Sequence, residues 1–480
     1  MGHRICIIGG GPAGLSAGYM LAKKGCSVDV FELSDSVGGM CKTFPLWGYQ
    51  VDLGPHRFVS KDKKVNSLWL EMVGHEYKMV HRKTRIYYEG KYFGYPLKGI
   101  EALAKLGAME GFHCLFSYLY TKVKGSKDED DFESWTISRF GKRLFEIFFK
   151  TYSEKLWGID CKDLDSDFAS QRIRKLSLGE ALKGILGIGQ KKHATLADQF
   201  AYPIKGTGYI YNQMAEKIEE LGSHVHLGQC VQSFIRGDDG QAHGVRLANG
   251  QELEYDFVIS TMPLTLLVKA LSQPEDPIRN VLKKLSYRNT ILVYTLVNKK
   301  DIFDDQWLYI HSADVGIGRV TNYNNWVDDI TSDKDHTVLC SELWCNDDGP
   351  MWKENDETII QKVDQELEAI GLIDQSDIIE GKVIRIPRSY PVYKKGYKEP
   401  VSKIEAFLKD FENVIPIGRY GTFKYNNQDH SILMGILISE NICDGKSHEL
   451  WRVNTDYETY QESASITSSG LATDKDPKLE

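Results

Sequence analysis

The chain begins with an apolar run that ends in closely spaced glycines. Residues 5–8 are all apolar, and Gly9, Gly11 and Gly14 follow, with helix-forming residues after them. This order predicts a strand, a tight turn and a helix. Gly9 would make the turn, Gly11 would leave room for a pyrophosphate, and Gly14 would let the helix lie close to the strand. Because the free N–H groups of the helix start would face the phosphates, the pattern predicts a dinucleotide-binding unit.

A second apolar run stands where such a unit carries its acidic residue. This run is formed by residues 27–31, and Glu32 follows it, 23 positions after Gly9. A carboxylate at this place accepts hydrogen bonds from the ribose hydroxyls. The alternative reading of Glu32 is an ordinary solvated residue at a strand end. A second glycine turn, Gly38-Gly39, follows directly and favours the nucleotide-binding interpretation.

The rest of the hydrophobic pattern alternates between helical and strand periods. A hairpin is predicted at 84–93, with Glu89-Gly90 as its turn, and helical patterns dominate from 96 to 196. A second strand–glycine–helix unit is predicted from the apolar run at 413–418 and a helix at 429–443. Further predicted elements are a helix at 209–221, short strands between 224 and 261, alternating strands at 286–409, and one helix among them at 357–370.

These elements predict an α/β protein with α+β insertions. A Rossmann-like nucleotide domain would be assembled from residues 1–95, 200–265 and 410–450, as in flavoproteins with two dinucleotide-binding folds. A helical insertion is predicted at 96–199 and an antiparallel-sheet substrate domain at 266–409. The polar segment 461–480 is expected to be disordered.

Composition excludes several classes of protein. The 480 residues include 59 basic and 67 acidic ones, for a formal net charge of −8. The sequence has no stripe of basic residues, so nucleic acid is not expected to be a partner. The nine cysteines are scattered, without a Cys-x-x-Cys pair. They are expected to be reduced thiols of a cytoplasmic protein, and no metal site is predicted.

One segment raises the question of membrane contact. Residues 100–120 are fairly apolar, but Glu101, Lys105 and Glu110 interrupt them, so the segment falls short of a membrane span. It is predicted to be an amphipathic helix, and packing on the protein's own core is favoured over contact with a membrane.

The glycine turns and the interrupted nucleotide domain resemble the FAD-dependent superfamily that includes amine oxidases, protoporphyrinogen oxidase, phytoene desaturases and UDP-galactopyranose mutase. FAD is expected to be held non-covalently, because no Cys or His stands in a recognised flavin-attachment motif. The predicted FAD-binding residues are Gly9, Gly11, Gly14, Glu32, Gly39, Met40, Gly54, His56, Val231, Gly418, Arg419 and Asn427.

A narrower resemblance is to UDP-galactopyranose mutase, through motifs in the same order. Residues 54–58 (GPHRF) resemble that family's segment beside the isoalloxazine, and residues 148–158 (FFKTYSEKLWG) resemble its Phe-Phe-x-x-Tyr-Thr-x-Lys-x-Trp-Gly. Residues 318–323 (GRVTNY) resemble its diphosphate-binding Thr-Arg-Ile segment, and residues 418–425 (GRYGTFKY) its Gly-Arg-Leu-x-x-Tyr-x-Tyr. The chain has Val59 where the family has a second histidine, and Asn426-Asn427 where it has Tyr-Asp.

The resemblance implies roles for individual side chains. Arg319, Tyr390 and Tyr425, with Arg172 as a looser match, would stabilise the diphosphate of a nucleotide sugar. The nucleobase would be held by Phe148 and Trp157. For each of these residues the alternative is ordinary packing in the core or on the surface.

The function implied by the mutase resemblance is a redox-neutral pyranose/furanose isomerisation of a nucleoside-diphosphate sugar. In that family N5 of the reduced flavin is the nucleophile, and NAD(P)H is the candidate electron donor. The alternative is an FAD-dependent oxidase or desaturase of the amine oxidase or protoporphyrinogen oxidase type. A non-catalytic flavin-binding subunit is a third reading, and a homo-oligomer is compatible with all three.

Overall fold

The structure is a computed structural model that describes residues 2–97, 99–125, 129–168, 199–237, 240–331, 333, 335–454 and 464–473. It divides into two compact units. The first unit comprises residues 1–80, 199–285 and 398–480, and the second comprises residues 81–198 and 286–397.

The strands carry the labels used below. In chain order they are β1 (Arg4–Ile8), β2 (Ser27–Phe31), β3 (Thr43–Leu46), β4 (Tyr49–Asp52), β5 (Tyr77–His81), β6 (Thr84–Tyr88), β7 (Lys91–Gly94), β8 (Gln199–Pro203), β9 (His224–His226), β10 (Val231–Arg236), β11 (Ala242–Leu247), β12 (Glu252–Glu254), β13 (Phe257–Ser260), β14 (Tyr287–Val297), β15 (Trp307–Ile310), β16 (Arg319–Asn322), β17 (Thr337–Cys345), β18 (Ile378–Pro391), β19 (Val414–Pro416), β20 (Ala464–Thr467) and β21 (Gly470–Thr473).

The helices are numbered in the same way. They are α1 (Pro12–Lys23), α2 (Lys63–Val73), α3 (Gly99–Leu106), α4 (Ala108–Lys124), α5 (Phe132–Phe140), α6 (Lys142–Phe145), α7 (Thr151–Trp157), α8 (Tyr209–Glu220), α9 (Leu264–Leu271), α10 (Ile278–Leu282), α11 (Pro350–Lys353), α12 (Asp356–Ala369), α13 (Lys398–Leu408), α14 (Gly418–Gly421) and α15 (Gln428–Asp444). A π-helical turn, Glu146–Lys150, joins α6 to α7.

The first unit is built on a parallel sheet with the strand order β19-β13-β1-β2-β9. Its central strand β1 is almost wholly buried, as a parallel strand covered on both faces must be. Helix α15 packs on α1 where Gly435 meets it, since a Cβ at Gly435 would lie 2.6 Å from the backbone nitrogen of Ala17. This close approach brings the two glycine-turn units of the chain together.

The second unit is built on a seven-stranded sheet with the order β18-β14-β17-β16-β15-β6-β7. All neighbouring strands are antiparallel except β15 and β6, which are parallel. Strand β17 is buried along its whole length, and α12 buries Ile359, Val363 and Leu367 in the core of this sheet.

The α/β fold with a parallel nucleotide-binding sheet and a separate, mainly antiparallel sheet confirms the predicted fold class. The unit boundaries differ from the predicted domain boundaries. Hairpin β6–β7 belongs to the second unit because β6 pairs with β15, and residues 266–285 and 398–409 fall in the first unit.

The predictions of a single helix at 100–120 and of a disordered tail were wrong for the described residues. Gly107, with φ of +98°, separates α3 from α4. In the tail, β20 pairs with β21, and Ile466, buried in the core of the first unit, faces Leu471 across the hairpin. The hydroxyl of Tyr77 donates to the carbonyl of Thr467 at 2.7 Å. Because the tail is mostly polar, its composition did not indicate that Ile466 would anchor it to the core.

In the described part of the chain, every helix is too short or too polar to cross a bilayer.

Candidate functional site

The first unit gathers the predicted flavin-binding glycines into one cradle. Gly9 adopts φ of +104°, which favours glycine, and a Cβ there would lie 2.1 Å from the hydroxyl oxygen of Thr261. A Cβ at Gly14 would lie 1.9 Å from the carbonyl oxygen of Gly9, so Gly14 sets the close contact of helix and turn. A Cβ at Gly11 would meet only the Cα of Gly39, at 3.7 Å. The space above Gly11 is therefore free for a ligand.

The start of α1 fits a phosphate group. Its N-cap residue, Gly11, provides no side-chain hydrogen bond to the helix, and the first turn of an α-helix has N–H groups without partners inside the helix. By contrast, Asn427 caps α15, where its side chain and His430 form a reciprocal capping box. The uncapped α1 end can thus receive a pyrophosphate, while the predicted cofactor residue Asn427 is engaged in its own helix.

The acidic residue of the motif lies where the prediction put it. Glu32 follows β2, and its Oε2 accepts from the backbone N–H of Gly10 at 2.7 Å. Its Oε1 accepts from the N–H and the hydroxyl of Ser34, at 2.9 and 2.7 Å. The second glycine turn is tied to the first, since Gly38 N–H donates to the carbonyl of Gly10 at 2.8 Å. These hydrogen bonds hold the carboxylate beside the glycine turn.

The C-terminal motif closes the same cradle. Gly418, with φ of +80°, lies so close to α1 that a Cβ there would be 2.9 Å from the Cβ of Ala13. The guanidinium of Arg419 lies over the ring of Tyr425 at 4.4 Å and donates to the carbonyl of Asn426 at 3.0 Å. Arg419 and Tyr425 therefore form one cationic and phenolic pair within the first unit.

Two further predicted cofactor residues lie around this cradle. Met40 accepts a hydrogen bond from the hydroxyl of Tyr420 through its Sδ, at 2.5 Å, so it links the second glycine turn to α14. Val231 begins β10 and pairs with Leu247.

A buried carboxylate, missed in the sequence, anchors the turn that carries Gly54 and His56. Asp52 accepts from the hydroxyl of Tyr202 at 2.8 Å and from the N–H of Thr207 at 3.1 Å. The hydroxyl of Thr207 in turn donates to the carbonyl of His56 at 2.8 Å. Burial raises the pKa of Asp52 to about 6, against the opposing effect of these hydrogen bonds. The turn is therefore fixed by polar contacts under it.

The side chain of His56 folds back and contacts the backbone of its own turn. Its Nε2 donates to the carbonyl of Leu53 at 2.8 Å, and Gly54 adopts φ of +82°. The residue is a turn residue, as predicted, and its imidazole stabilises that turn.

In the second unit, Arg319 lies in a buried ion pair. Register places Arg319 of β16 directly opposite Glu342 of β17. The Nε and Nη2 atoms of Arg319 donate to the two carboxylate oxygens at 2.5 and 2.7 Å, and Glu342 is only 3% exposed. Burial opposes the charge of the guanidinium, but the carboxylate outweighs it and the pKa of Arg319 is raised. The pair orients the fork, and among the residues that the structure describes the Nη1 atom has no partner, so this edge can meet a ligand.

The backbone at Gly318, directly before Arg319, leaves room for the ring of Trp344. A Cβ at Gly318 would lie 1.9 Å from the six-membered ring of Trp344, so only glycine fits here. The Nζ of Lys155 donates to the carbonyl of Ser312 at 2.6 Å and to that of Ile317 at 3.2 Å. This lysine, part of the 148–158 motif, holds the loop that leads to Arg319.

Aromatic rings continue from this ion pair through the second unit. Tyr152 stacks on His311 at 4.8 Å and meets the edge of Trp344 at 5.7 Å. Trp344 and Trp157 each contact Tyr390 edge-on, at 6.4 and 6.2 Å. Burial, with the charge of Lys155 adding to it, lowers the pKa of His311 to about 3, so its ring is neutral near pH 7.

The predicted base-binding residues are buried. Trp157 is 1% exposed and stacks on Tyr393 at 6.2 Å, and Phe148 is 3% exposed with its ring 4.9 Å from Phe93. Stacking of a base on either ring would need a rearrangement. The predicted Arg172 lies outside the described residues.

The end of α7 explains the glycine of the 148–158 motif. Arg288 is buried and donates to the carbonyls of Leu156 and Trp344, at 3.1 and 2.8 Å. A Cβ at Gly158 would lie 2.4 Å from its guanidinium. A cation at the C-terminal end of a helix is favourable, so Arg288 positions both Trp157 and Trp344.

Sequence reasoning missed Glu342 and Arg288. A signal existed for Glu342, because it is the only charged residue of the otherwise uncharged strand β17, and a lone charge in a buried strand requires a partner. Arg288 carried a similar signal at the start of β14. Neither signal says which residue the partner is.

Comparison with known proteins gives a family. The sequence matches the family described as flavin containing amine oxidoreductase over residues 12–385. Among curated proteins, the coproporphyrinogen III oxidase of Staphylococcus aureus is 23% identical over 462 residues, which cover 85% of this chain and 92% of that protein. The protoporphyrinogen oxidase 2 of Arabidopsis thaliana is 29% identical over 150 residues, 30% of this chain and 29% of its own length.

Solved structures show the same fold. A reduced UDP-galactopyranose mutase superposes with a TM-score of 0.84 at 21% identity, over 96% of this chain and 97% of that one. A putrescine oxidase bound to putrescine superposes with a TM-score of 0.62 at 16% identity, over 92% and 99%. Both the mutase and the oxidase readings thus have a structural neighbour.

The cradle predicts different outcomes for two neighbouring glycine substitutions. Gly11→Ala should leave the thermal unfolding of the flavin-free protein unchanged but abolish FAD retention, because the new Cβ meets no protein atom closer than 3.7 Å and occupies the pyrophosphate's space. Gly14→Ala should destabilise the fold itself. Flavin absorbance after gel filtration and the melting temperature check both; a yellow Gly11→Ala protein would contradict the assignment.

Asp52 predicts a pH-dependent stability difference. Its pKa of about 6 in the folded state exceeds the ordinary value of about 3.9, so the folded protein binds the extra proton and loses stability as the pH rises through this window. Between pH 5 and pH 7.5, the wild type should lose about 1 kcal/mol of unfolding free energy relative to Asp52→Asn. Urea unfolding at both pH values measures this. Exposed Asp348→Asn is the control and should follow the wild type; parallel behaviour of Asp52→Asn would show that Asp52 is ionised throughout.

Proposed function

The chain belongs to the family of flavin containing amine oxidoreductases, and on that premise we propose that it is an FAD-dependent enzyme that isomerises the ring of a nucleoside-diphosphate sugar. The observation that carries this proposal is the partly buried Arg319, whose Nε and Nη2 atoms are held by the buried Glu342, while its Nη1 atom has no partner among the described residues. A guanidinium fork of this kind suits the oxygens of a diphosphate, which it can bind through charge-assisted hydrogen bonds. The mutase fold of the whole chain supports the same reading.

In the proposed reaction, Arg319 binds the diphosphate through its Nη1 edge. Negative charge grows on the diphosphate as it leaves the anomeric carbon, and a preorganised donor in a water-poor site stabilises that charge most. The ring of Tyr390 lies at the same site, and electrostatic coupling links it to Arg319. Tyr425 and Arg172 are proposed as further phosphate donors. The phenol of Tyr390 donates a hydrogen bond without adding charge, so it can share a phosphate oxygen with Arg319.

Burial changes the role proposed for the base-binding residues. The ring of Trp157 packs edge-on against the ring of Tyr390, with 6.2 Å between the ring centroids. Phe148, in the same helical run, is buried in a hydrophobic core cluster. We therefore propose that Trp157 orients Tyr390 and that Phe148 stabilises the helical run that carries Trp157. The nucleobase is proposed to bind elsewhere on the second unit or after rearrangement of this run.

FAD is proposed to bind the cradle of the first unit non-covalently, with the pyrophosphate at the start of α1 and the ribose at Glu32. The cofactor, when bound and reduced, supplies the nucleophile of the isomerisation. NAD(P)H is proposed as the electron donor. The nine cysteines, all free, are compatible with the proposed cytoplasmic location.

A second candidate function is FAD-dependent oxidation, because the sequence is similar to that of a coproporphyrinogen III oxidase over 85% of this chain. In that reaction the substrate would lose a hydride to the flavin and a proton to solvent, and oxygen would take the two electrons. Arg319 would then bind a carboxylate of the substrate or stay a structural partner of Glu342.

The reduction state of the flavin separates the two candidates. The purified holoenzyme is incubated with a panel of UDP- and dTDP-sugars, with oxidised flavin and after dithionite reduction, and the products are separated by chromatography. We expect ring isomers only from the reduced enzyme, with no stoichiometric use of reductant. Oxidised product that forms with matching oxygen uptake would contradict the proposal.

Arg319 variants connect this activity to the site. Arg319→Lys keeps the charge but loses the fork, and should lower kcat/KM by roughly 10- to 100-fold, the worth of one charge-assisted hydrogen bond. The matched control is Arg385→Lys, which alters a half-exposed pair with Asp356 in the same unit and should leave kcat/KM unchanged. Equal effects of both substitutions would assign Arg319 a structural role only.

A further inference from the structure

Helix α4 presents a row of large apolar side chains to solvent. These residues, the α4 apolar face, are 52 to 89% exposed and lie three or four positions apart: Met109, Phe112, Phe116, Leu119, Tyr120 and Val123. Such spacing places them along one side of the helix. The prediction that this segment packs on the protein's own core therefore holds only for its opposite side.

The opposite side of α4 is firmly docked, so the apolar face cannot turn inward. Cys114 and Tyr118 are buried in a cluster with Phe140 and Leu144. A Cβ at Gly141 would lie 2.7 Å from the Cα of Tyr118, which shows how closely α4 meets the following helices. The face is a fixed surface of the second unit.

The polar residues beside this face are cationic or neutral. Lys122 and Lys124 are exposed in the last turn of α4, and His113 is exposed in its middle. Glu110, the only acidic residue of the helix, is ion-paired with Arg143. Of the acidic residues that follow, Glu129 binds Arg139 and Asp131 caps α5, whereas Asp130 is exposed.

We propose that the α4 apolar face docks on an anionic lipid surface, with α4 lying parallel to the membrane. The helix has 17 residues, about 25 Å at 1.5 Å per residue, and an apolar face with lysines at its edge is the pattern of helices that lie in the interface. The lysines would meet the anionic headgroups.

A second copy of this chain fits the face less well. An antiparallel pair of α4 helices would bring Lys122 and Lys124 of each copy to the positively polarised N-terminus of the other. Within α4 the one carboxylate, Glu110, is already ion-paired with Arg143. Anionic lipid satisfies both the apolar row and the lysines.

Vesicle co-sedimentation tests the proposal on the full-length holoenzyme. We expect the wild type to sediment with phosphatidylcholine vesicles containing 30% phosphatidylserine and to stay in solution with phosphatidylcholine alone. Phe112→Ser/Phe116→Ser should abolish sedimentation, and Lys122→Gln/Lys124→Gln should weaken it about 25-fold, at roughly fivefold per charge. All variants are first checked for flavin content and melting temperature.

A matched control is Leu221→Ser/Ile379→Ser, which removes two exposed apolar side chains far along the chain from α4 and should bind vesicles like the wild type. Light scattering of the same samples reports the oligomeric state. The proposal is overturned if the wild type ignores anionic vesicles, if it binds neutral vesicles equally well, or if Phe112→Ser/Phe116→Ser merely converts a dimer into monomers.

Discussion

The buried pair of Arg319 and Glu342 is the constraint on which the second unit depends. A carboxylate that is 3% exposed in the middle of a sheet is costly unless a cation meets it with good geometry. The register of β16 and β17 supplies that geometry by placing the two residues opposite each other. Gly318 and Lys155 then become necessary, because the first admits Trp344 beside the pair and the second holds the loop that enters β16.

A different constraint governs the first unit, where backbone rather than charge shapes the site. Gly9, Gly14 and Gly418 each occupy a position where a Cβ would lie under 3 Å from a neighbouring atom, and together they pack turn, strand and helix tightly. Gly11 is the exception, with open space above it. The contrast separates the glycines that pack the cradle together from Gly11, where we propose that the pyrophosphate binds. The protein is thus a flavin-dependent enzyme whose cofactor site and proposed anion site follow different physical rules.

Local patterns predicted the first unit well, because a strand, a glycine turn and a helix are contiguous in the chain. The turn at Gly9, the close packing at Gly14 and the position of Glu32 directly after β2 followed from spacing alone. Contacts between distant residues were beyond such reasoning: Glu342 is 23 positions from Arg319, and Arg288 reaches the end of α7 across 132 residues. A sequence motif also identifies a residue without indicating how exposed its side chain is. Trp157 and Phe148 could therefore be recognised in the sequence, but their burial could not be predicted. For α4, periodicity identified an apolar side and could not tell whether anything covers it.

A crystal structure of the holoenzyme with bound UDP tests the central claim most directly. The account predicts that a diphosphate oxygen lies within hydrogen-bond distance of Arg319 Nη1, while Nε and Nη2 keep their contacts with Glu342, and that the hydroxyl of Tyr390 points to the same phosphate. A diphosphate held by other residues, with Arg319 contacting only Glu342, would contradict it.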